Sequence, residues 1–220
     1  MFKLERKKNR VIKLYVLNVC SEERVKNLQA VSDLVRGLFN QSANQFDIGG
    51  PYRISKGKTV GEKSFWNKLN KFGHDKYSYV TGERVNEFGF ELSYIAPEDC
   101  SEIIVWYDPA LYSINVIDIL KSLIIDLDIR YGYAVDLRKN YDIRLETRIR
   151  KGVFSTSVTV DAENIEWNKN VPKIKDGIIR RVYPLNILNP SQYHSFPSVS
   201  IKSIHEKIKD LVIIESKEFA

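Results

Sequence analysis

Residues 87–95 read EFGFELSYI, an unbroken alternation. Phe88, Phe90, Leu92 and Tyr94 fall on one side, and Glu87, Gly89, Glu91 and Ser93 on the other. A two-residue period of this kind describes a strand with one face buried and one face polar. Such a strand needs a sheet around it and an apolar layer to cover the buried face. The other segments must therefore supply strands and at least one amphipathic helix.

They do. VIKLYVLNV (11–19) is rich in β-branched and apolar residues and predicts a first strand. Residues 21–41 carry Val25, Leu28, Val31, Leu34, Val35, Leu38 and Phe39 at three- and four-residue spacing, with Ser21 as the expected N-cap. EIIVWY (102–107) predicts a hairpin partner for 87–95. Residues 114–129 predict a helix with a wide apolar face, capped by Ser113, and YGYAVDL (131–137) a further strand. Residues 42–86 hold Gly49, Gly50, Pro51, Gly57 and Gly61, and are expected to form an insertion, mostly loop, with one short helix carrying Phe65, Trp66, Leu69 and Phe72.

The order over 11–137 is then β-α-β-β-α-β. It predicts an α+β fold: an antiparallel or mixed sheet packed with two main helices in split βαβ, ferredoxin-like order. C-terminal strands and a helix extend it. YDIRLETRI (141–149) and VFSTSVTV (153–160) both alternate and predict strands, with Lys151 and Gly152 turning between them. Ile178 to Tyr183 predicts an edge strand ended by Pro184. Ile201, Ile204, Ile208 and Leu211 predict a last helix, and 211–214 continue it or form an edge strand. No linker-like stretch interrupts the chain, so a single domain over 1–220 is expected, with 1–10 flexible, 42–86 an insertion and 138–220 a C-terminal extension of the sheet. Frequent Ile and Val with little Ala, in a chain 43% hydrophobic, fit a sheet better than a helical bundle.

The longest apolar stretch, 114–129, is broken by Asp118, Lys121, Asp126 and Asp128, which suits a core helix and not a membrane span. The charged start MFKLERKKNR followed by Lys13 is a poor signal peptide. Cys20 and Cys100 are too few and too far apart for a disulfide framework. A cytoplasmic, reduced protein is the expectation.

Chemical motifs are sparse. His74, His194 and His205 show no metal-ligand spacing, and neither Cys lies in a CxxC. SKGKT (55–59) lacks the glycine that a phosphate loop needs at position 52, which is Tyr. Glu215-x-Lys217 after an apolar run is half of a metal-dependent nuclease pattern, which needs a further acid upstream. Asp126, Asp128 and Asp136 are expected to pair with Arg130 and Arg138.

Charge is uneven within the net +6. Residues 81–128 carry ten acids against Arg84 and Lys121, while 138–184 carry eleven Lys/Arg against six acids. Such asymmetry suits an acidic surface for a protein partner and a basic one for nucleic acid.

Three stretches set the overall layout: VIKLYVLNVCSEERVKNLQAVSDLVRGLF, then SEIIVWYDPALYSINVIDILKSLIIDLDIRYGYAVD, then RRVYPLNILNP before a last helix. This layout resembles that of bacterial immunity proteins of polymorphic-toxin and type VI secretion systems. The resemblance implies a small, cytoplasmic, non-catalytic protein that occludes a toxin, and it carries no functional residue across. Net basic charge departs from the usual acidity of nuclease-toxin inhibitors, and the acidic span 81–128 is the local counterpart.

The first expectation is thus a protein-binding inhibitor without cofactor or metal, meeting its partner through Glu83, Glu87, Glu91, Glu98 and Asp99. The alternative is a nucleic-acid-binding protein of a defence or mobile-element system, using Lys56, Lys58, Arg144, Arg148, Arg150, Arg180 and Arg181. A metal-dependent nuclease stands third.

Overall fold

The computed structural model describes residues 8–17, 21–49, 60–72, 79–95, 100–152, 155–181, 183–188 and 192. Its elements run β1 (Lys8–Leu17), α1 (Ser21–Phe39), β2 (Gln45–Gly49), α2 (Glu62–Phe72), β3 (Tyr79–Arg84), β4 (Phe88–Ile95), β5 (Cys100–Tyr107), α3 (Val116–Asp126) and β6 (Ile129–Arg138). The short strands β7 (Ile149–Lys151) and β8 (Thr156–Val158) follow. Then come α4 (Ala162–Asn170), a 3-10 segment (Val171–Asp176) and β9 (Leu185–Leu188).

Seven strands form one antiparallel sheet in the order β2-β3-β4-β5-β1-β6-β9, and β7 and β8 form a separate ribbon. The central run β4-β5-β1-β6 is the split βαβ, ferredoxin-like order, with α1 and α3 as its two crossovers. The fold is α+β, as the alternation and the helical spacings predict.

One face of the sheet carries the main core. Ile12, Leu14 and Val16 of β1, Phe88, Phe90 and Leu92 of β4, and Ile103 and Val105 of β5 meet Val31, Val35 and Phe39 of α1 and Ile119 and Leu123 of α3. Phe39 stacks on Phe88 at 4.2 Å between ring centroids. Burying each such side chain contributes roughly 1.5–3 kcal/mol. The helices need no stronger local signal than the apolar stripe they bury.

Four segments differ from the sequence reading. Residues 42–86 do more than fill a loop: Phe46, Ile48 and Val80 alternate well enough to add β2 and β3 to the sheet beyond β4, and Phe65 and Leu69 of α2 pack over them. The outer edge of β2 is blunted, because Asp47 accepts the Ile48 N–H at 2.8 Å and Val60 bridges to Phe46. The N-cap of α3 is Asn115, whose side chain accepts the Ile117 N–H, and not Ser113.

Residues 141–148 form turns instead of a strand. Asp142 Oδ1 accepts the N–H groups of Arg144 and Leu145 at 2.9 and 2.8 Å, and this side-chain turn outcompetes a ladder. Residues 178–183 hold no strand among those described, and the edge strand begins after Pro184. Asn186 closes the bend by accepting the Tyr183 N–H and donating to the Tyr183 carbonyl. The sequence reading assigned nothing to 161–175, where α4 forms with Asp161 as N-cap. The helix expected near 198–211 and the stretch 211–214 lie outside the described residues.

No helix among the described residues is long and apolar enough to cross a membrane.

Candidate functional site

The sheet's second face holds the densest cluster of ionisable groups. Strand alternation sends Ile12, Leu14 and Val16 to the main core and Lys13 and Tyr15 to the opposite side. There Lys13 lies opposite Tyr133 of β6 and is 0% exposed. Residues 141–148, 161–181 and Tyr183 fold over this face. Trp167 and Ile174 pack with Tyr15, Tyr131, Tyr133 and Tyr183 as a second apolar cluster.

Glu146 is the hub. Its backbone takes φ 57, a left-handed conformation that costs a non-glycine residue about 1–2 kcal/mol. The Asp142 turn sets that geometry, with Glu146 N–H donating to the Asp142 carbonyl at 2.8 Å. The side chain then accepts from Tyr133 at 2.6 Å, Arg180 at 2.7 Å and Tyr183 at 3.1 Å, and pairs with Lys13 at 3.0 Å. Charge-assisted bonds of this kind are the strong ones, and together they offset the backbone cost.

The network spreads outward from Glu146. Lys13 also donates to the Arg144 carbonyl and lies 4.0 Å from Glu102. Tyr15 donates to Glu102 at 2.7 Å and accepts from the Trp167 indole at 3.0 Å. Arg180 reaches Glu163 at 2.8 Å and Asn164 at 2.8 Å, and Arg181 reaches Glu163 at 2.9 Å. Tyr133 and Tyr183 stack face to face at 3.8 Å. Lys13, Arg180 and Arg181 balance Glu102, Glu146 and Glu163.

Protonation follows from these contacts. Burial pushes the Glu146 carboxyl up, but Lys13, Arg180 and the Tyr133 hydroxyl outweigh it and hold it below the ordinary carboxylate value. Burial raises Tyr133 and Tyr15 well above the ordinary phenol, so both remain donors. Burial works against the Arg180 charge, and Glu163, Tyr133 and Glu146 more than restore it. Every charge of the network is met by an opposite one, Lys13, Glu146 and Arg180 inside the fold and Arg181 and Glu163 at its surface. The arrangement clasps 141–148 and 161–181 onto the sheet.

A second feature lies at one end of the sheet. Val85 and Leu111 are 46% and 58% exposed, on neighbouring turns. The turns are bolted together. Asp108 N–H donates to the Glu87 carbonyl at 2.8 Å, and Tyr112 donates to Glu87 Oε2 at 2.7 Å. Lys139 donates to Asp108 at 2.6 Å and to the Asn86 carbonyl at 3.3 Å. Tyr112 packs edge-on against Phe39 and Phe88, and burial together with Glu87 pushes its hydroxyl up to about 12. The two apolar side chains are therefore held on a rigid base.

The structure separates the residues that the sequence singled out. Glu83 is half-buried on β3, its carboxyl raised by burial and by Asp47. Glu87 sits in the bolted turn. Glu91 is 2% exposed and bonded by Arg144 at 2.7 Å, with Arg144 also over the Tyr79 ring at 4.6 Å. Reversing Glu91 to Lys would set two cations against each other inside the fold, so it measures stability before binding. Glu98, Asp99, Lys56 and Lys58 lie outside the described residues, as do all three His, Cys20, Glu215 and Lys217. Arg180 and Arg181 belong to the clasp, whereas Arg148 and Arg150 are exposed. Asp128 pairs with Arg130 at 2.7 Å, and Asp136 pairs with Arg10 at 2.8 Å in place of Arg138.

Lys13, Tyr15, Glu102, Tyr133 and Trp167 escaped the sequence reading. Lys13 left one trace: it is a lone charge inside VIKLYVL, where both faces of a central strand must be covered. Among the described residues no group of three His, Cys, Asp or Glu side chains is placed to hold a metal ion.

No family model matches the chain, and no curated protein matches it. Among solved structures it is similar to the Pseudomonas aeruginosa T6SS protein PA0821, at 11% identity and a TM-score of 0.45. The match covers 59% of this chain and 40% of that one. A likeness of this size says nothing about function.

Proposed function

We propose that this chain is a non-catalytic protein-binding inhibitor that meets its partner at the Val85–Leu111 end of the sheet. In the finer reading it acts as an immunity protein that occludes a bacterial toxin. The observation that carries the binding reading is the bolted pair of turns, which holds two large apolar side chains out at 46% and 58% exposure. An apolar centre presented without flexibility loses little entropy on association, and that is where binding energy concentrates. Arg84 and Glu87 flank Val85 in the chain and Lys139 bonds both turns, which supplies the polar groups of a rim. The clasp supports the same reading, because its ionisable groups are spent on each other.

The test compares the wild-type chain with Val85→Asp/Leu111→Asp as bait in extract from the native host. A partner held by the wild type and lost by the variant, at equal melting temperature, supports the surface. Equal capture by both rejects it. The captured partner is then expressed with and without the chain. Growth arrest relieved by the chain supports inhibition, and a harmless partner rejects the immunity reading.

A further inference from the structure

The β7–β8 ribbon stands apart from the main sheet and has its own charge pattern. Ile149 pairs with Val158, Arg150 with Ser157 and Lys151 with Thr156. Alternation puts Ile149 and Val158 on one face, where both are half-buried, and Arg148, Arg150 and Ser157 on the other, where all three are exposed. Ser155 and Thr159 continue that outer face and are also exposed. Residues 147–160 contain Arg148, Arg150 and Lys151, five hydroxyl side chains and no acid.

The neighbouring carboxylates are engaged elsewhere. Asp142 accepts backbone N–H groups in its own turn, Glu146 is locked in the clasp, and Asp161 caps α4. Arg144, Arg180 and Arg181 are each paired, Arg144 with Glu91, Arg180 with Glu146 and Arg181 with Glu163.

We propose that this ribbon is a contact surface for duplex DNA, with Arg148 and Arg150 on phosphates and Ser155 and Ser157 as supporting donors. Arginine, lysine and serine are the side chains that meet phosphate oxygens. A two-stranded ribbon fits the major groove of B-form DNA, about 12 Å wide, whereas the deep, narrow major groove of A-form RNA does not admit it. Charge complementarity selects the partner, and groove width selects DNA over RNA. The surface is separate from the Val85–Leu111 end.

The experiment is fluorescence anisotropy with a labelled duplex of about 20 base pairs, at 50 and 200 mM salt, on the full chain. Two phosphate contacts give a log–log salt slope of about −1.8, or a loss of roughly 12-fold between those salts. Arg148→Ala/Arg150→Ala should bring the slope toward zero. Ser157→Glu, which sets a carboxylate opposite Arg150, should weaken binding with both arginines in place. Val85→Asp/Leu111→Asp should leave DNA affinity unchanged, so this inference and the proposed function fail separately. No binding by the wild type overturns the proposal. So does a double variant that binds as well as wild type, equal affinity for duplex RNA, or equal competition by polyglutamate of matched charge.

Discussion

Arg180 and Glu146 meet at 2.7 Å with side chains only 2% and 4% exposed. Taking both charges out of water is costly, and that cost is recovered only while each keeps its partners. Lys13, at 0% exposed, shares the same carboxylate at 3.0 Å. Neutralising Glu146 leaves two buried cations without their shared carboxylate: Arg180 keeps only the part-exposed Glu163, and Lys13 only Glu102 at 4.0 Å. Glu146→Gln should therefore cost about 3–5 kcal/mol in urea unfolding. Glu166→Gln, which breaks an exposed pair with Lys169, should change stability by less than about 0.5 kcal/mol. A Glu146→Gln loss under about 1 kcal/mol would show that the clasp is not a clasp.

The cluster should also behave as a unit. Lys13→Met removes one of the two cations that Glu146→Gln would strand. The double variant is expected to lose less stability than the two single losses together, by at least about 1 kcal/mol. Simple additivity in the same unfolding assay would mean that Lys13 and Glu146 act independently despite their contact.

Two buried carboxylates should leave opposite marks on the pH profile. Glu146 is held below the ordinary value, so the stability it confers is complete above about pH 4.3 and is lost as pH falls through its lower folded value. Glu91 is raised, chiefly by burial, with Arg144 and Ser93 pulling only part of the way back. Its contribution is complete below about pH 4.3 and is lost as pH rises through its higher folded value. Against wild type, Glu146→Gln should flatten the acid limb of stability against pH. Glu91→Gln should flatten the fall just above pH 4.3. Identical profiles for the two variants would contradict the assignment.

How much of this the sequence disclosed depended on whether side chains or ladders set the backbone. Phe88, Phe90 and Leu92 announced β4 because a strand covered on one face must alternate. Val31, Val35 and Phe39 announced α1 because one stripe meets the core. Residues 143–150 alternate just as cleanly, yet Asp142 captures two N–H groups and the contacts of Glu146 hold its backbone left-handed. A period of two cannot register a competitor that lies in a single side chain. The α4 segment buries only Asn164 and Trp167, too little to mark a stripe, and its one local signal was Asp161 as cap. Glu91 and Arg180 looked like surface charges because their partners, Arg144 and Glu146, lie 53 and 34 residues away.

A glycine can report on the other side of a strand pair. Gly89 on β4 lies opposite Trp106 on β5, in register. A Cβ at position 89 would overlap the Trp106 ring and come within 2.9 Å of Glu83 Cβ on β3. The indole occupies the space that a side chain at 89 would need. Ordinarily, replacing a strand glycine by alanine stabilises by roughly 0.5–1 kcal/mol, since glycine loses more freedom on folding. Here the sign should reverse, because Trp106 is pinned over the strand and Glu83 sits on the far side. Gly89→Ala is expected to cost about 1–3 kcal/mol, in line with overpacking. Trp106→Leu opens the space, so Gly89→Ala in that background should cost clearly less than in wild type. The check is chemical unfolding of the four chains. An unchanged cost in the Trp106→Leu background would place the strain in the backbone or at Glu83, and a stabilising Gly89→Ala would remove the contact altogether.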